Sequence, residues 1–416
     1  MQFLIRRISE RLWVRPLLMC AVSVCGALVA SATDRLGIAA FVPEISRTSI
    51  ETLLNNLAAS MLVIATFAVG SMVASYASAS RNATPRSLPL VLADDVSQNA
   101  LATFIGAFIF STVAIVAVQN GYYEKTGRFT LFVFTVITFT AVILTFVRWV
   151  DRIARLGLLS MTIESVEKAT AKALENRGRA PRLGGIAVDP DLPVAWRVYA
   201  DAAGYVQRVN IDDLQDIAAA AKATITVEAL PGTFAMPGRA LASVSQVEGD
   251  PAELDSAEIA AAFIVGRNRT FDEDPRFGLI ALSEIGGRAL SPAVNDPGTA
   301  ISVIGVYMRL FMQWDKAAGA PANDNAEYDR VAVPTITLDD MFEDAFAVIA
   351  RDGAGSAEVV IRLLKALEAL TRLDGADMQA AAERQALSAL ECARNRLQTA
   401  AEIQRVESVA GFVAES

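Results

Sequence analysis

The chain predicts an α-helical membrane domain of four transmembrane helices, joined to a cytosolic α+β domain with a small sheet and a helical C-terminal part. Three observations predict it. With 53% hydrophobic and only 20% charged residues among 416, and a mean hydropathy of +0.38, the chain is too apolar for an ordinary soluble protein. The apolar excess is concentrated in four runs within the first 150 residues. After them the pattern turns mixed, with helical periodicity, short alternating stretches and Pro/Gly turns.

The first apolar run extends from about Pro16 to Ala32, behind Arg6, Arg7, Arg11 and Arg15. A cleaved signal peptide is the rival reading, because a basic start and Ala30-Ser-Ala32 suit a signal peptidase. A retained helix is preferred, since the run is near the spanning minimum of about 17 residues. The four spans are placed at about 14–32, 54–78, 101–118 and 129–147. Gly70, Ala74 and Ser78 in the second, and Ala102 and Gly106 in the third, have the four-residue spacing of small side chains that lets helices approach closely. Thr130, Thr135, Thr138, Thr140 and Thr145 in the fourth carry hydroxyls that can bond to the preceding turn or to a neighbour. No span has an ionisable residue in its middle, which weighs against a carrier built on buried carboxylates.

Charge sets the expected topology. The N-terminal arginines, Arg81 and Arg86, and Arg148, Arg152 and Arg155 fall on one side after four crossings, so both termini are expected in the cytoplasm. Residues 1–155 carry 13 Lys or Arg against 8 Asp or Glu (+5), and the remainder 24 against 38 (−14). An acidic lobe with no basic stripe is not expected to bind nucleic acid.

From residue 156 the chain is expected to continue as a helix to about residue 180, and Gly178, Pro181, Gly184 and Gly185 end it. Short extended or amphipathic pieces follow at Ile186–Val188 and Arg197–Val209. Then come a helix over Ile211–Lys222 after the cap Asn210, and strands at Ala223–Leu230 and Arg239–Val247. Asp250-Pro251 opens a helix to about Gly266. Beyond Trp314, Lys316–Asp329 reads as loop, Val331–Leu338 as strand, and the rest as helices over Leu338–Asp352, Ser356–Arg372 and Asp377–Gly411. The domains are expected at 1–155, 156–315 and 316–416.

The polar chemistry is concentrated between Arg267 and Ala300. Arg267, Asn268, Arg269 and Thr270 form a run of donors, and Asp272, Glu273, Asp274 and Pro275 follow. A mostly apolar segment holding Glu284 leads through Gly286, Gly287 and Arg288 to Ala289-Leu-Ser-Pro-Ala-Val-Asn-Asp-Pro-Gly-Thr-Ala300. Asp296 is a good N-cap with Pro297 at the first helical position, and Thr299 opens a helix to about Trp314. Such an end presents N–H groups that suit an anion. The plainer reading is structural: Asn295 and Asp296 cap a helix, Glu284 and Arg288 are an i,i+4 pair, and Arg267–Asp274 neutralises itself. As a ligand site the stretch comprises Arg267, Asn268, Arg269, Asp272, Asp274, Glu284, Arg288, Ser291, Asn295, Asp296 and Thr299, with the arginines for an anion and the carboxylates for a cation.

The segments Phe277-Gly-Leu-Ile-Ala-Leu-Ser-Glu-Ile and Arg288–Ala300, the latter of the form ALSPxxNDPxTA, resemble the signature of a bacterial family of predicted multi-pass membrane proteins with a domain of unknown function. Trp13, Pro16 and Asp34 resemble its N-terminal pattern. So do Thr84-Pro-Arg-Ser-Leu88, Asp95, Gln98 and Leu101–Phe108, although the family usually has Ser at Thr84 and Gly at Ala293. The resemblance reaches to about residue 310 and implies architecture, not mechanism.

No histidine is present, which removes histidine triads and most zinc or haem sites. Cys20, Cys25 and Cys392 are too scattered for a metal or disulfide framework. No catalytic residue is assigned, and metal and cofactor are unknown. Three functional readings stand. The first is a channel-like protein whose cytosolic domain binds an ion or small anion. The second is a membrane-anchored sensor or scaffold for a cytosolic protein partner. The third is a metal-dependent enzyme at the membrane face. The expected partners are the lipid bilayer and other copies of the chain in a homo-oligomer.

Overall fold

The structure, a computed structural model, describes residues 14–36, 42–82, 84–92, 94–155, 157–245, 255–319 and 326–414. Trp13, Asp250 and Pro251 therefore lie outside the described residues, as does the end of the strand expected at Arg239–Val247. The chain forms two compact units, Met1–Thr162 and Ile163–Ser416.

The first unit holds α1 (Val14–Ala32), α2 (Arg47–Asn82), a short α3 (Leu88–Leu92), α4 (Asp95–Gln119) and α5 (Lys125–Arg155). Four helical stretches, Val14–Arg35, Arg47–Ser80, Leu88–Gln119 and Lys125–Arg155, are long and apolar enough to cross a membrane. The helices outrun the expected spans because an apolar run marks only the part that meets hydrocarbon, whereas the helix continues through polar turns at either end. Helix α4 is central and packs on α1, α2 and α5. Two apolar clusters fill the unit, one around Phe104, Met61, Ala65 and Trp149, the other around Ile50, Leu54, Phe110 and Leu131. Large side chains such as Leu17, Val63, Phe67, Ile137 and Leu144 cover the outside, as lipid-facing surfaces require.

Of the two small-residue strips, one is used within the chain. A Cβ on Gly106 would come within 3.0 Å of Met19 Cβ, and Ser23 Oγ donates to Gly106 O at 2.9 Å, so α1 and α4 approach there with almost no space between them. The strip on α2 is different. Gly70 and Ala74 are exposed, and α2 turns Leu57, Met61, Ala65, Ala68 and Met72 inward, because larger side chains on that face fill the space against α4. The threonines of α5 bond backwards: Thr135 Oγ1 donates to Leu131 O at 2.8 Å and Thr140 Oγ1 to Val136 O at 2.9 Å.

Asp34, just past α1, accepts from Gly127 N at 2.6 Å and Glu124 N at 2.9 Å and so caps α5 from another element. Tyr123 adds a bond from its hydroxyl to Ala27 O at 2.9 Å. The first apolar run is thus a packed member of the bundle. Asp34→Ala is expected to cost about 1 kcal/mol, the usual worth of a cap, read as a lower melting temperature of the detergent-solubilised protein.

The second unit begins within α6 (Leu159–Arg179). Its strands are β1 (Gly185–Ile186), β2 (Val194–Tyr199), β3 (Gly204–Val209), β4 (Thr224–Val227), β5 (Phe234–Ala235), β6 (Ala240–Ser245), β7 (Phe263–Gly266) and β8 (Tyr328–Ala332). They form two small sheets where one was expected: a five-stranded sheet in the order β1-β8-β4-β6-β2 and a three-stranded antiparallel sheet in the order β5-β3-β7. Strand β8 runs parallel to both β1 and β4. Helices α7 (Ile211–Ala220) and α8 (Ser256–Ala261) share the core of Leu214, Ile225, Val244, Ile259 and Val331 with the strands.

Three expectations are corrected here. The helix expected to reach Gly266 ends at Ala261, and Phe263–Gly266 is β7, because β3 offers it a ladder from Tyr205 to Val209. The strand expected at Val331–Leu338 begins at Tyr328, where Gly184 and Gly185 give it a partner. The last long helix is divided into α13 (Ala376–Arg396), α14 (Ala400–Val409) and α15 (Gly411–Ala414). Leu397 is extended there (φ −68°, ψ 139°), and Thr399 starts a new helix by capping Glu402 N.

The helical part is built from α9 (Pro275–Ala289), α10 (Pro297–Ala318), α11 (Leu338–Asp352), α12 (Ala357–Leu370) and α13. Helix α9 is nearly surrounded, with Phe277, Leu279, Ala281, Leu282, Ile285 and Ala289 all buried. Its small residues allow this: a Cβ on Gly278 would meet Thr170 Oγ1 of α6 at 2.0 Å. Tyr307 and Phe311 of α10 and Phe342 and Phe346 of α11 form one aromatic cluster, with centroids 4.4 to 5.6 Å apart.

Candidate functional site

Helix α9 divides the polar stretch in two. Fifteen residues at 1.5 Å each put its ends about 22 Å apart, so Arg267–Asp274 and Arg288–Thr299 belong to different places. Glu284 sits half-buried between them.

At the N-terminal end, Arg269 grips Asp274 with both nitrogens, Nε to Oδ2 at 2.7 Å and NH2 to Oδ1 at 2.9 Å. The Asp274 side chain is 3% exposed. Asp274 also caps α9, accepting from Phe277 N at 3.1 Å, with Pro275 in the first turn where its missing N–H costs nothing. The Arg269 guanidinium stands 5.3 Å from the centre of the Phe277 ring. The carboxylate lies against the Pro231-Gly232 turn so tightly that a Cβ on Gly232 (φ +95°) would come within 2.4 Å of Asp274 Oδ2. Burial pushes the Asp274 carboxyl up, and the bond from Arg269 counters it.

Residues far away in the chain complete this end. Arg177 of α6, buried, donates to Glu273 O at 3.3 Å, and Arg208 of β3 pairs with the Glu273 carboxylate at 3.3 Å. Burial raises Glu273, countered by Arg208 and Arg177, and burial lowers Arg177, countered by Glu273 and Asp274. Arg276 ties α9 to α11 through Asp344 at 2.6 Å and Asp340 at 3.1 Å. These partners were not apparent in the sequence, where each is a single charged residue without a motif. Arg267, Asn268 and Asp272 are exposed, and Asn268 O accepts from Gln207 Nε2 at 2.7 Å. With every buried charge near an opposite one, this end joins α6, β3, α9 and α11.

At the C-terminal end of α9 the chain turns sharply. Ser291 Oγ donates to Arg288 O at 2.7 Å, Asn295 takes a left-handed conformation (φ +49°), and Asp296 N returns to Ala289 O at 2.8 Å. Asp296 caps α10 by accepting from Thr299 N at 3.1 Å and Thr299 Oγ1 at 2.6 Å. The Thr299 hydroxyl, and next its N–H, hold the Asp296 carboxyl below its ordinary value. A depressed carboxyl contributes stability that is present above its unfolded pKa and lost as pH falls through the folded value. Asp296→Ala is therefore expected to cost about 1 kcal/mol at neutral pH, and to cost progressively less below an ordinary aspartate pKa of 3.8. Denaturant titrations at pH 7 and pH 3 check both.

Beside this turn is an open cleft of about 800 Å³. Gly287, Leu290, Ser291 and Pro292 line one side of it, and Asp352 and Gly355 from the α11–α12 connection contribute. Arg396, Gln398, Thr399 and Glu402 come from the α13–α14 break. Of the sequence-predicted residues, only Ser291 reaches the cleft. The break that supplies much of its lining interrupts the continuous helix expected over Asp377–Gly411. Among the described residues, no group of three or more Cys, Asp or Glu is placed to hold a metal ion.

An uncharacterized protein of Mycobacterium tuberculosis (strain H37Rv) is 35% identical to this chain over 108 residues, 25% of this chain and 21% of the relative. An uncharacterized protein of Mycobacterium bovis shows the same identity and coverage. The chain thus spans about a fifth of the length of the curated relatives it matches. No solved structure matches. The family described as "Predicted membrane protein (DUF2254)" matches residues 9–369, a range that takes in all four apolar helices and the whole polar stretch, and the chain belongs to it.

Proposed function

We propose that this membrane protein is a ligand-responsive sensor: its soluble unit binds a small polar molecule in the cleft beside the signature turn, and the apolar helices hold it in a bacterial cytoplasmic membrane with both termini inside. The cleft carries the reading. It is the size of a small-molecule site, it mixes apolar wall with Ser291, Gln398 and Arg396, and the Leu290-Ser-Pro292 part of the signature lines it. The topology rests on the basic residues Arg15, Arg152 and Arg155 at one end of the four helices. The sensor would pass its state to a cytosolic protein partner.

The test is thermal stability of the purified protein across ions, nucleotides and acidic metabolites. A compound at a hundred times its Kd stabilises by about 2.7 kcal/mol, worth about 5–10 °C in a unit of this size. The shift is expected in wild type and in Asp34→Ala, and is expected to vanish in Arg396→Ala and Ser291→Ala. A panel with no responder, or a shift that survives both cleft variants, would sink the reading.

A permeation function is the second reading, favoured by the exposed Gly70 and Ala74 on α2, which let copies of the bundle approach. The interior of one chain is filled by Phe104, Trp149 and Leu131, so a pathway would lie between copies in a homo-oligomer. Proteoliposomes that show no flux of Na+, K+, Cl− or phosphate above background would remove it. Of the carboxylates the enzyme reading invokes, Asp274 and Asp296 stand at opposite ends of α9 and so would not act in one centre.

A further inference from the structure

The basic end of the four-helix unit contains a group of buried polar atoms that have no hydrogen-bond partner among the described residues. Asp94 is central to it. Its side chain is 3% exposed and accepts from Arg152 Nε at 2.8 Å and from Ser97 N at 3.0 Å, capping α4. Ser97 and Gln98 follow on the first turn of α4, 0% and 3% exposed. Trp149 precedes Arg152 by one turn of α5, is fully buried, and meets Phe104 edge to face at 6.1 Å. Phe104 lies two turns beyond Ser97 on the same face of α4. Tyr76 of α2 is within electrostatic reach of Asp94.

Four atoms here, Ser97 Oγ, Gln98 Oε1, Trp149 Nε1 and Tyr76 Oη, are buried without a hydrogen-bond partner among the described residues. The other Gln98 amide atom is occupied, since Nε2 donates to Leu92 O at 3.1 Å. A buried polar group left unpaired costs about 1–3 kcal/mol, so four of them together would cost about as much as a domain's whole stability. An occupant that bonds to them removes that cost.

The chemistry of the four atoms selects the occupant. Trp149 Nε1 can only donate, Gln98 Oε1 can only accept, and the two hydroxyls do either. A cation would suit Gln98 Oε1 but face the indole N–H and Arg152, and a halide would suit the indole but face Gln98 Oε1. We propose that ordered water, a neutral molecule that both donates and accepts, occupies a chamber between α2, α4 and α5 beside the Asp94–Arg152 pair. This places buried water at the basic end of an otherwise apolar membrane unit.

The test uses the full-length protein in detergent. A reporter with Trp13, Trp196 and Trp314 replaced by Phe keeps Trp149 as the single emitter. Its emission is expected to be red-shifted from that of an indole in a purely apolar wall, and to move to the blue in Ser97→Ala. Ser97→Ala, Gln98→Met and Trp149→Phe are each expected to lower the melting temperature by about 3 °C, and Ser97→Ala with Trp149→Phe by less than the sum, because they share an occupant. A raised or unchanged melting temperature in Ser97→Ala, with emission that does not move, overturns the proposal in favour of a dry site. A wild-type melting temperature that changes between choline chloride, sodium chloride and sodium gluconate at equal ionic strength, and stops changing in Ser97→Ala, overturns it in favour of an ion.

Discussion

Asp274→Ala is expected to destabilise the second unit by about 4 kcal/mol, measured by denaturant unfolding monitored through helical circular dichroism. Two losses add. Removing the carboxylate strands the Arg269 guanidinium, whose side chain is only 19% exposed, beside an apolar ring, and breaking one side of a buried pair is far more damaging than replacing both. Helix α9 also loses the acceptor for Phe277 N at its first turn. The double variant Arg269→Met with Asp274→Leu is expected to recover part of the loss, since no charge is then left unpaired. If Asp274→Ala is neutral, the pair is not the joint described above. A ligand that rescued Asp274→Ala would return this end of α9 to consideration as a binding site.

The second large effect is expected at Phe346. Phe346→Ala removes a fully buried ring that touches Tyr307, Phe311 and Phe342, and should cost about 4 kcal/mol. The surrounding helices cannot close the gap easily, because Tyr307 is held by a bond from its hydroxyl to Leu279 O at 2.9 Å. Phe346→Leu, which refills much of the volume, is expected to cost less than half as much. Phe346 does not line the cleft, so any ligand that stabilises wild type should stabilise Phe346→Ala by the same amount. That equality separates damage to the fold from damage to the site.

The four spans were legible because twenty apolar residues in a row have few other uses, and because most of the arginines flanking the runs fall at the same ends of them. The caps of α9 and α10 were legible for a local reason: an acidic residue followed by proline stops one segment and starts the next. Position in space was not legible. Arg269 and Asp296 are near in sequence, yet the helix between them turns that nearness into separation. Arg177, Arg208 and Glu273 are remote in sequence and meet only through the packing of α6 and β3. Strand β7 was misread because Ala257–Gly266 has the composition of a helix, and only the free edge of β3 turns its last four residues into a strand. The cleft depended on a break at Leu397, which no glycine or proline announces.

Asp34 bears on how the bundle is assembled. It lies 90 and 93 positions ahead of Glu124 and Gly127, whose amides it accepts. During synthesis those amides emerge long after their acceptor, so this cap on the fourth helix forms only once the end of the first lies beside it. A peptidase cut after Ala32 that let the first segment diffuse away with Ala27 would also remove the acceptor for the Tyr123 hydroxyl. The Asp34 bonds therefore tie the start of the bundle to its last helix across about 90 residues of chain.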